Sequence, residues 1–149
     1  EFFFRLIVMQ ILSFDFGTKK IGIAVGQTIT KSSSPLTVLF NKDNKVNWEE
    51  VNHIVREWKP DLLLIGKPLN MDGTDSGIMK LVEKFSKKLA KLTDIKCEYV
   101  DERLTSFEAR QNFKELMIEN NKSIKKEIID ANAAKILIDN WFNQNVDSF

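Results

Sequence analysis

Cysteine and histidine are nearly absent from this 149-residue chain, which has one of each, Cys97 and His53. A single cysteine excludes an internal disulfide framework and is typical of a protein in a reducing cytosol. A single histidine excludes a histidine-rich metal site, whereas binding of a hard metal ion by carboxylates stays open. The formal net charge is only +1, so any binding of nucleic acid must use a local basic patch.

Long apolar segments are also missing, and we expect a cytoplasmic protein with no membrane partner. The length suits one compact domain with a sizeable core. Met9 stands just before the first convincing strand, so we expect residues 1–8 to be a leader added for expression and residues 9–149 to form the domain. A genuine extension of the first strand is the alternative for residues 1–8.

The pattern of apolar residues predicts an α/β domain. Three strands come first, over about Gln10–Phe16, Ile21–Gln27 and Leu36–Phe40, and the serine–proline segment 32–35 is expected to precede the third as a break. Then come a helix over 48–58, a strand over 61–66, a helix over 78–92, a strand over 95–100, and two helices, one from about residue 105 and one from about 124 to 142. We therefore expect a mixed five-stranded sheet, with a three-stranded antiparallel meander and two parallel strands, flanked by helices.

Acidic residues stand where two of these strands end. Asp15 closes the first strand, in an apolar setting where burying an unpaired carboxylate is expensive. Asp101 and Glu102 follow the last strand directly. Because the carboxyl ends of parallel strands meet at one edge of a sheet, we expect these acids to lie at the same edge.

The C-terminal helix supplies a fourth acid, Asp130, which falls within the apolar stripe of that helix and near two alanines. Carboxylates gathered from separate elements suit Mg²⁺, and two such ions can activate water and stabilise a leaving oxygen on phosphorus. The alternative for each acid is a structural ion pair with Arg103, Lys19 or Lys20. The joint placement of the acids favours the metal site.

Two further features are candidates for contact with a substrate. The loop over residues 67–76 follows a central strand, with the charge of Lys67 and the amide of Asn70, although it also fits a plain strand-to-helix connection. Five lysines at helical spacing either bind a phosphate backbone or form only a solvated face. They are Lys80, Lys84, Lys87, Lys88 and Lys91. Trp48 and Trp58 fit core positions better than base-stacking platforms.

Four segments resemble the signature blocks of the YqgF/RuvX family, in the family's order. They are DFGTKKIGIAVG, IGKPLNMDGT, YVDERLTS and DANAAKIL, and the resemblance runs from about Met9 to Trp141. It implies an RNase H-like fold related to the RuvC resolvase. It also implies a nuclease that matures the 5′ end of pre-16S rRNA or resolves Holliday junctions.

The resemblance assigns roles to individual residues. Asp15, Asp130 and at least one of Asp101 and Glu102 are the implied catalytic and metal-binding residues, with Mg²⁺ or Mn²⁺ as the cofactor. The expected substrate contacts are Lys20, Lys67, Asn70, Arg103 and Thr105. The chain departs from the family at Lys20, where members usually have arginine, and at residues 26–27, where they usually have a Ser-Asp pair. RuvC has a glutamate at the end of its fourth strand, where this chain offers Asn70 or Asp72.

Three functional hypotheses follow. The leading one is a metal-dependent endonuclease acting on structured RNA, pre-16S rRNA above all, with a branched DNA junction as the runner-up substrate and a monomer or homodimer as the active form. A sugar-kinase or actin-like ATPase also opens with a DxGT loop, but it needs two such domains around a cleft. A non-catalytic nucleic-acid-binding assembly factor would suit the near-neutral charge.

Overall fold

The computed structural model of the protein describes residues 9–68, 77–101 and 126–145, with the backbone alone for residues 126–130. Its elements are β1 (Gln10–Phe16), β2 (Lys20–Gln27), β3 (Ser32–Phe40), α1 (Trp48–Trp58), β4 (Leu62–Lys67), α2 (Met79–Thr93), β5 (Cys97–Asp101) and α3 (Lys126–Gln144). Outside the described residues lie the expected leader, the helix expected from residue 105, Asn70, Asp72, Glu102, Arg103 and Thr105.

The five strands form one sheet in the order β3-β2-β1-β4-β5. β1, β2 and β3 are antiparallel neighbours, whereas β4 is parallel to β1 and β5 is parallel to β4. Short connections reverse the chain and pair antiparallel strands, while a helical crossover returns the chain in its original direction. The predicted mixed sheet is confirmed.

The third strand is longer than the sequence pattern indicates. β3 begins at Ser32, so the segment expected to break the chain pairs with β2 instead. The register shifts beside Pro35, which is opposite Ala24, and this marks a β-bulge. β3 is an edge strand of the sheet. Proline has no N–H to donate, so it is tolerated at bulges and on edge strands, where a hydrogen bond to a neighbouring strand is not required.

Helices cover both faces of the sheet. α1 and α2 pack on one face, against side chains that include Leu12 and Phe14. α3 packs on the other face, against Ile11 and Leu64 among others. Successive side chains of a strand point to opposite faces, so β1 and β4 are buried on both sides and read as continuous apolar runs. We call these the α1–α2 face and the α3 face.

The helices have a further property in common. Among the residues that the structure describes, no helix is both long enough and apolar enough to cross a membrane.

Candidate active site

Asp15 lies at the end of β1 and belongs to the α3 face. Side chains alternate along the strand, which groups Asp15 with Ile11 and Ser13. Ile11 packs in the α3-face core, and the Ser13 hydroxyl donates a hydrogen bond of 2.6 Å to the carbonyl of Ala134 in α3. Asp15 is half-buried. The acid therefore stands near the end of β1, on the side of the sheet that α3 covers.

Two contacts define the path of α3 across the sheet. Ile138 lies over Gly26, where an added Cβ would stand 2.8 Å from Ile138 Cγ2, and Gly26 pairs with Ile11 of β1. One helical turn earlier, Ala134 lies over Ser13. α3 therefore runs antiparallel to β1, close to the sheet. Gly26 of β2, which has no side chain, leaves the space that this close approach requires.

Continued by one helical turn, the same path would carry the backbone of Asp130 towards the level of Asp15. Four residues of a helix advance about 6 Å, and two residues of a strand advance about 6.6 Å. The step from Ile138 to Ala134 matches the step from Ile11 to Ser13. One further turn with the same step would reach the level of the residue two positions after Ser13, which is Asp15.

Polar contacts hold α3 in this register. Ser13 is fully buried and reasoning from the sequence did not single it out, although a serine inside an apolar strand is a signal of a buried hydrogen bond. Nearer the end of α3, Asp139 accepts a short hydrogen bond from the Ser33 hydroxyl of β3 and another from Lys135 at 2.8 Å. The hydrogen bonds from Ser13 and Ser33 join α3 to the sheet, whereas the Lys135–Asp139 contact lies within the helix.

Asp101 ends β5 on the other face of the sheet. Its neighbour Val100 packs in the α3-face core. Tyr99 faces the opposite way, and its hydroxyl shares a hydrogen bond of 2.6 Å with Ser86 of α2. Alternation along β5 therefore groups Asp101 with Tyr99, on the α1–α2 face, whereas Asp15 belongs to the α3 face.

The acids expected to bind metal are only partly described. Within the described parts of the chain, no group of three or more acidic, histidine or cysteine side chains could hold a metal ion. Glu102 lies outside those parts, and Asp130 is described by its backbone alone. Carboxylate oxygens are the donors that Mg²⁺ and Mn²⁺ prefer, so the chemistry of Asp15 and Asp130 fits such a site. The ligand roles stay predictions.

Two of the expected substrate contacts lie at the edge of the sheet where β1 ends. Lys20 begins β2, and Lys67 ends β4. Both are half-buried. The turn between β1 and β2 is braced at this edge, because the Asn41 amide donates to the carbonyls of Gly17 and Thr18 at 3.0 Å each.

The chain's cysteine and histidine lie away from Asp15. Cys97 packs against the core of the α1–α2 face, and burial raises the pKa of its thiol to about 11. A thiol with that pKa is protonated and unreactive at neutral pH. His53 is exposed on α1, 3.5 Å from Glu57. Cys97 is thus a packed thiol and His53 a surface residue.

Comparison with known proteins gives consistent matches over most of the chain. The model of the RuvX family, described as Holliday junction resolvase, matches residues 9–144. A protein of Shewanella denitrificans named "Putative pre-16S rRNA nuclease" is 41% identical over 137 residues, which cover 92% of this chain and 96% of that protein. A protein of Haemophilus ducreyi with the same name is 40% identical, over 91% of this chain and 96% of that protein.

Solved structures share the fold. RuvC of T. thermophilus in complex with a Holliday junction substrate matches with a TM-score of 0.52, over 91% of this chain and 95% of that chain, at 12% identity. A second structure of Thermus thermophilus RuvC matches with a TM-score of 0.51 at 11% identity. At this identity the likeness concerns the fold alone, and it confirms the RNase H-like architecture.

Proposed function

The chain belongs to the RuvX family, and from this premise we propose that it is a metal-dependent endonuclease that hydrolyses phosphodiester bonds in structured nucleic acid. The proposed substrate is structured RNA, pre-16S rRNA above all, because relatives about 40% identical carry that name. This substrate implies a cytoplasmic protein. The observation that carries the proposal is the hydrogen bond from Ser13 to Ala134, which fixes α3 over β1 one helical turn after Asp130 and two residues before Asp15.

We propose that Asp15, Asp130 and Glu102 hold Mg²⁺ or Mn²⁺. Of the pair Asp101 and Glu102, the second is favoured because Asp101 belongs to the face opposite to Asp15. The donor set is made of carboxylate oxygens, which suit hard cations. When bound, such ions neutralise charge on the phosphate and lower the pKa of water.

The protein's own residues orient the phosphate and hold the acids. β1 has paired neighbours on both sides, so the backbone that leads to Asp15 is rigid. Rigid elements hold a site more precisely than loops do. Lys20 and Lys67 lie at the same edge and supply positive charge for the phosphate. Each acts as a point charge, without the two-pronged geometry of arginine.

The proposal is tested by single substitutions assayed on 5′-labelled RNA that carries a structured precursor end, with Mg²⁺ or Mn²⁺. Asp15→Asn, Asp130→Asn and Glu102→Gln should each lower cleavage by about a thousandfold or more, since each removes a ligand of the ions that stabilise the transition state. Asp101→Asn is the matched control and should cleave within about threefold of wild type.

Two outcomes would contradict the proposal. Loss of cleavage in Asp101→Asn with an active Glu102→Gln would reverse the assignment within the acidic pair. Wild-type protein that binds RNA or branched DNA tightly but cleaves neither, with either ion, would favour a non-catalytic nucleic-acid-binding protein.

Cleavage of branched DNA is the second candidate, favoured by the description of the matching family as Holliday junction resolvase. A resolvase cuts two strands that are related by symmetry, which suits a two-fold dimer. Paired, symmetric cuts in a synthetic four-way junction, together with a dimer in analytical ultracentrifugation, would establish this activity. A monomer that cleaves only RNA would exclude it.

A further inference from the structure

A groove with a volume of about 390 Å³ opens on the α1–α2 face, beside the end of β1. We call it the aromatic groove and define it by Phe16, Trp48, Phe85, Lys45, Lys84 and Lys88, which all line it. No acidic residue is among its described lining residues. The groove thus combines aromatic rings with charged side chains that, among the described lining residues, are all positive.

The aromatic rings of the groove are continuous with the core. Phe85 is buried, and the Trp48 ring stacks on it with centroids 5.2 Å apart at 28°. Phe16 lies 5.0 Å from Phe85, and Phe14 of the core lies 5.7 Å from Phe85 at an edge. Trp48 and Phe16 are themselves only half-buried. A rigid aromatic surface of this kind loses little entropy when it binds a planar ligand.

A tight turn holds the polar rim of the groove. Lys42 and Lys45 form a bridge with backbone hydrogen bonds of 3.1 and 2.9 Å. Between them, Asp43 and Asn44 have φ values of 53° and 61°, as in a two-residue turn of type I′. Asn44 and Lys45 both line the groove. An amide and an ammonium group are therefore presented to it from a fixed backbone.

Lys88 lies over the indole of Trp48, with its ammonium 4.9 Å from the ring centroid. This lysine is exposed, and a lysine side chain has a flexible four-carbon stem that lets its ammonium move. Stacking of a nucleobase on an aromatic ring is stronger than a cation–π contact at an exposed site. A base can therefore take the place over the indole, and the displaced ammonium is then free to pair with a phosphate.

We propose that the aromatic groove binds an unpaired nucleotide of a single-stranded segment, with its base against Trp48 and its phosphates near Lys45, Lys84 and Lys88. Lysines alone would suit any anion, and rings alone would suit any planar molecule. Their combination, without an acidic residue in the described lining, suits a ligand that is both aromatic and anionic.

The position of the groove relates it to the proposed active site, and the inference rests on the proposed nucleic-acid substrate. Phe16 follows Asp15 directly in β1, and the two side chains belong to opposite faces of the sheet. A strand of nucleic acid crossing this end of β1 can therefore present a phosphodiester to Asp15 and a nearby base to the groove. The groove would recognise an unpaired flank of the substrate.

The test measures binding of fluorescein-labelled hexaadenylate RNA by anisotropy in EDTA, where neither metal nor cleavage contributes. An abasic RNA hexamer has the same charge but no bases, and it should bind about tenfold more weakly than hexaadenylate. Hexadeoxyadenylate distinguishes the two sources of an unpaired nucleotide. Tighter binding of RNA assigns the groove to RNA, and equal binding assigns it to either nucleic acid.

Two neighbouring lysines of α2 provide a matched pair. Lys87 and Lys88 are both exposed, but only Lys88 lines the groove. Lys88→Gln should weaken binding of hexaadenylate by about fivefold or more, and Lys87→Gln by less than about twofold. Equal losses for the two variants would mean a uniform charged surface and would overturn the proposal.

Trp48→Leu tests the base itself. This variant should bind hexaadenylate and the abasic hexamer with equal affinity, because the stacking surface is gone. Because the Trp48 ring stacks on Phe85, the folding of this variant is checked by circular dichroism. If it does not fold, binding of the same two oligomers is measured for Asn44→Ala and Lys45→Gln instead.

The outcomes separate the groove from the active site. Equal binding of the two RNA oligomers by wild type would overturn the groove proposal, even with RNA cleavage intact. Loss of the proposed nuclease function would appear instead as absent cleavage, with base-dependent binding in EDTA unchanged.

Discussion

The two faces of the sheet are built on different principles. On the α3 face, small residues such as Gly26 and Ala24 let the helix lie close, and buried polar contacts set its register. On the α1–α2 face, bulky side chains such as Phe14 and Phe85 fill an ordinary core. The difference teaches that contacts on the α3 face determine the position of α3, the helix that carries Asp130. The α1–α2 face supplies most of the core packing and the aromatic groove.

Substitution of Gly26 is the strongest test of this difference between the two faces. An added Cβ would stand 2.8 Å from Ile138 Cγ2 and 3.0 Å from the carbonyl oxygen of Ser32. Both neighbours are constrained, so Gly26→Ala should lower the free energy of unfolding by about 1–3 kcal/mol, as overpacking does. It should also lower cleavage, because α3 carries Asp130. Urea unfolding and the RNA cleavage assay measure the two effects.

Gly77→Ala is the control for that variant, since no atom of the described residues lies within 4 Å of its added Cβ. Its free energy of unfolding should stay within about 0.5 kcal/mol of wild type. Equal behaviour of the two variants would mean that α3 does not depend on close approach at Gly26.

Two buried serines, one on each face, sharpen the comparison at a smaller scale. Ser13 bonds to Ala134 of α3, and Ser86 bonds to Tyr99 of β5. Ser13→Ala and Ser86→Ala should each cost about 0.5–1.5 kcal/mol of stability, the usual net value of a hydrogen bond. Of these two variants, only Ser13→Ala should also lower the kcat of cleavage, because the Ser13 bond reaches α3 and the Ser86 bond does not. A lowered kcat in both variants would contradict the division between the faces.

Cys97 gives the smallest expected effect, on the α1–α2 face. Burial raises the pKa of its thiol to about 11 from the ordinary value of 9.0. The unfolded chain therefore loses this proton first as pH rises, so the contribution of Cys97 to stability is complete below pH 9 and declines between pH 9 and 11. Urea unfolding at pH 8 and pH 10 should show a steeper decline for wild type than for Cys97→Ala. Parallel declines would mean that the thiol is not held protonated.

Much of the fold can be predicted from local patterns. β1 matches its predicted bounds because a strand buried on both faces has a continuous apolar run with clear ends. The predicted start of β3 was wrong, because an edge strand accepts serines and a proline, residues that the local sequence pattern assigns to a break in the chain. Pairing with β2 decides that boundary, and pairing is not a local property.

The candidate site is less predictable. The position of Asp15 follows from the strand in which it lies. The face to which Asp101 belongs depends on whether β5 extends as far as Asp101, which the sequence pattern does not determine. The register of α3 depends on contacts at Gly26 and Ser13, distant in sequence from Asp130. Helical spacing assigned Trp48 to the core, and Trp48 does pack against the core of the α1–α2 face. Because it is the first residue of α1, it is only half-buried and also lines the groove, which the spacing did not indicate.

The most direct test of the account is the binding of Mn²⁺ to the purified protein, measured by isothermal titration calorimetry. Wild type and Asp101→Asn should bind the ion alike. Asp15→Asn and Asp130→Asn should each weaken binding by about tenfold or more, since each removes a charged ligand from the α3 face. Unchanged Mn²⁺ affinity in Asp15→Asn and Asp130→Asn, or loss of binding in Asp101→Asn alone, would contradict a metal site on the α3 face.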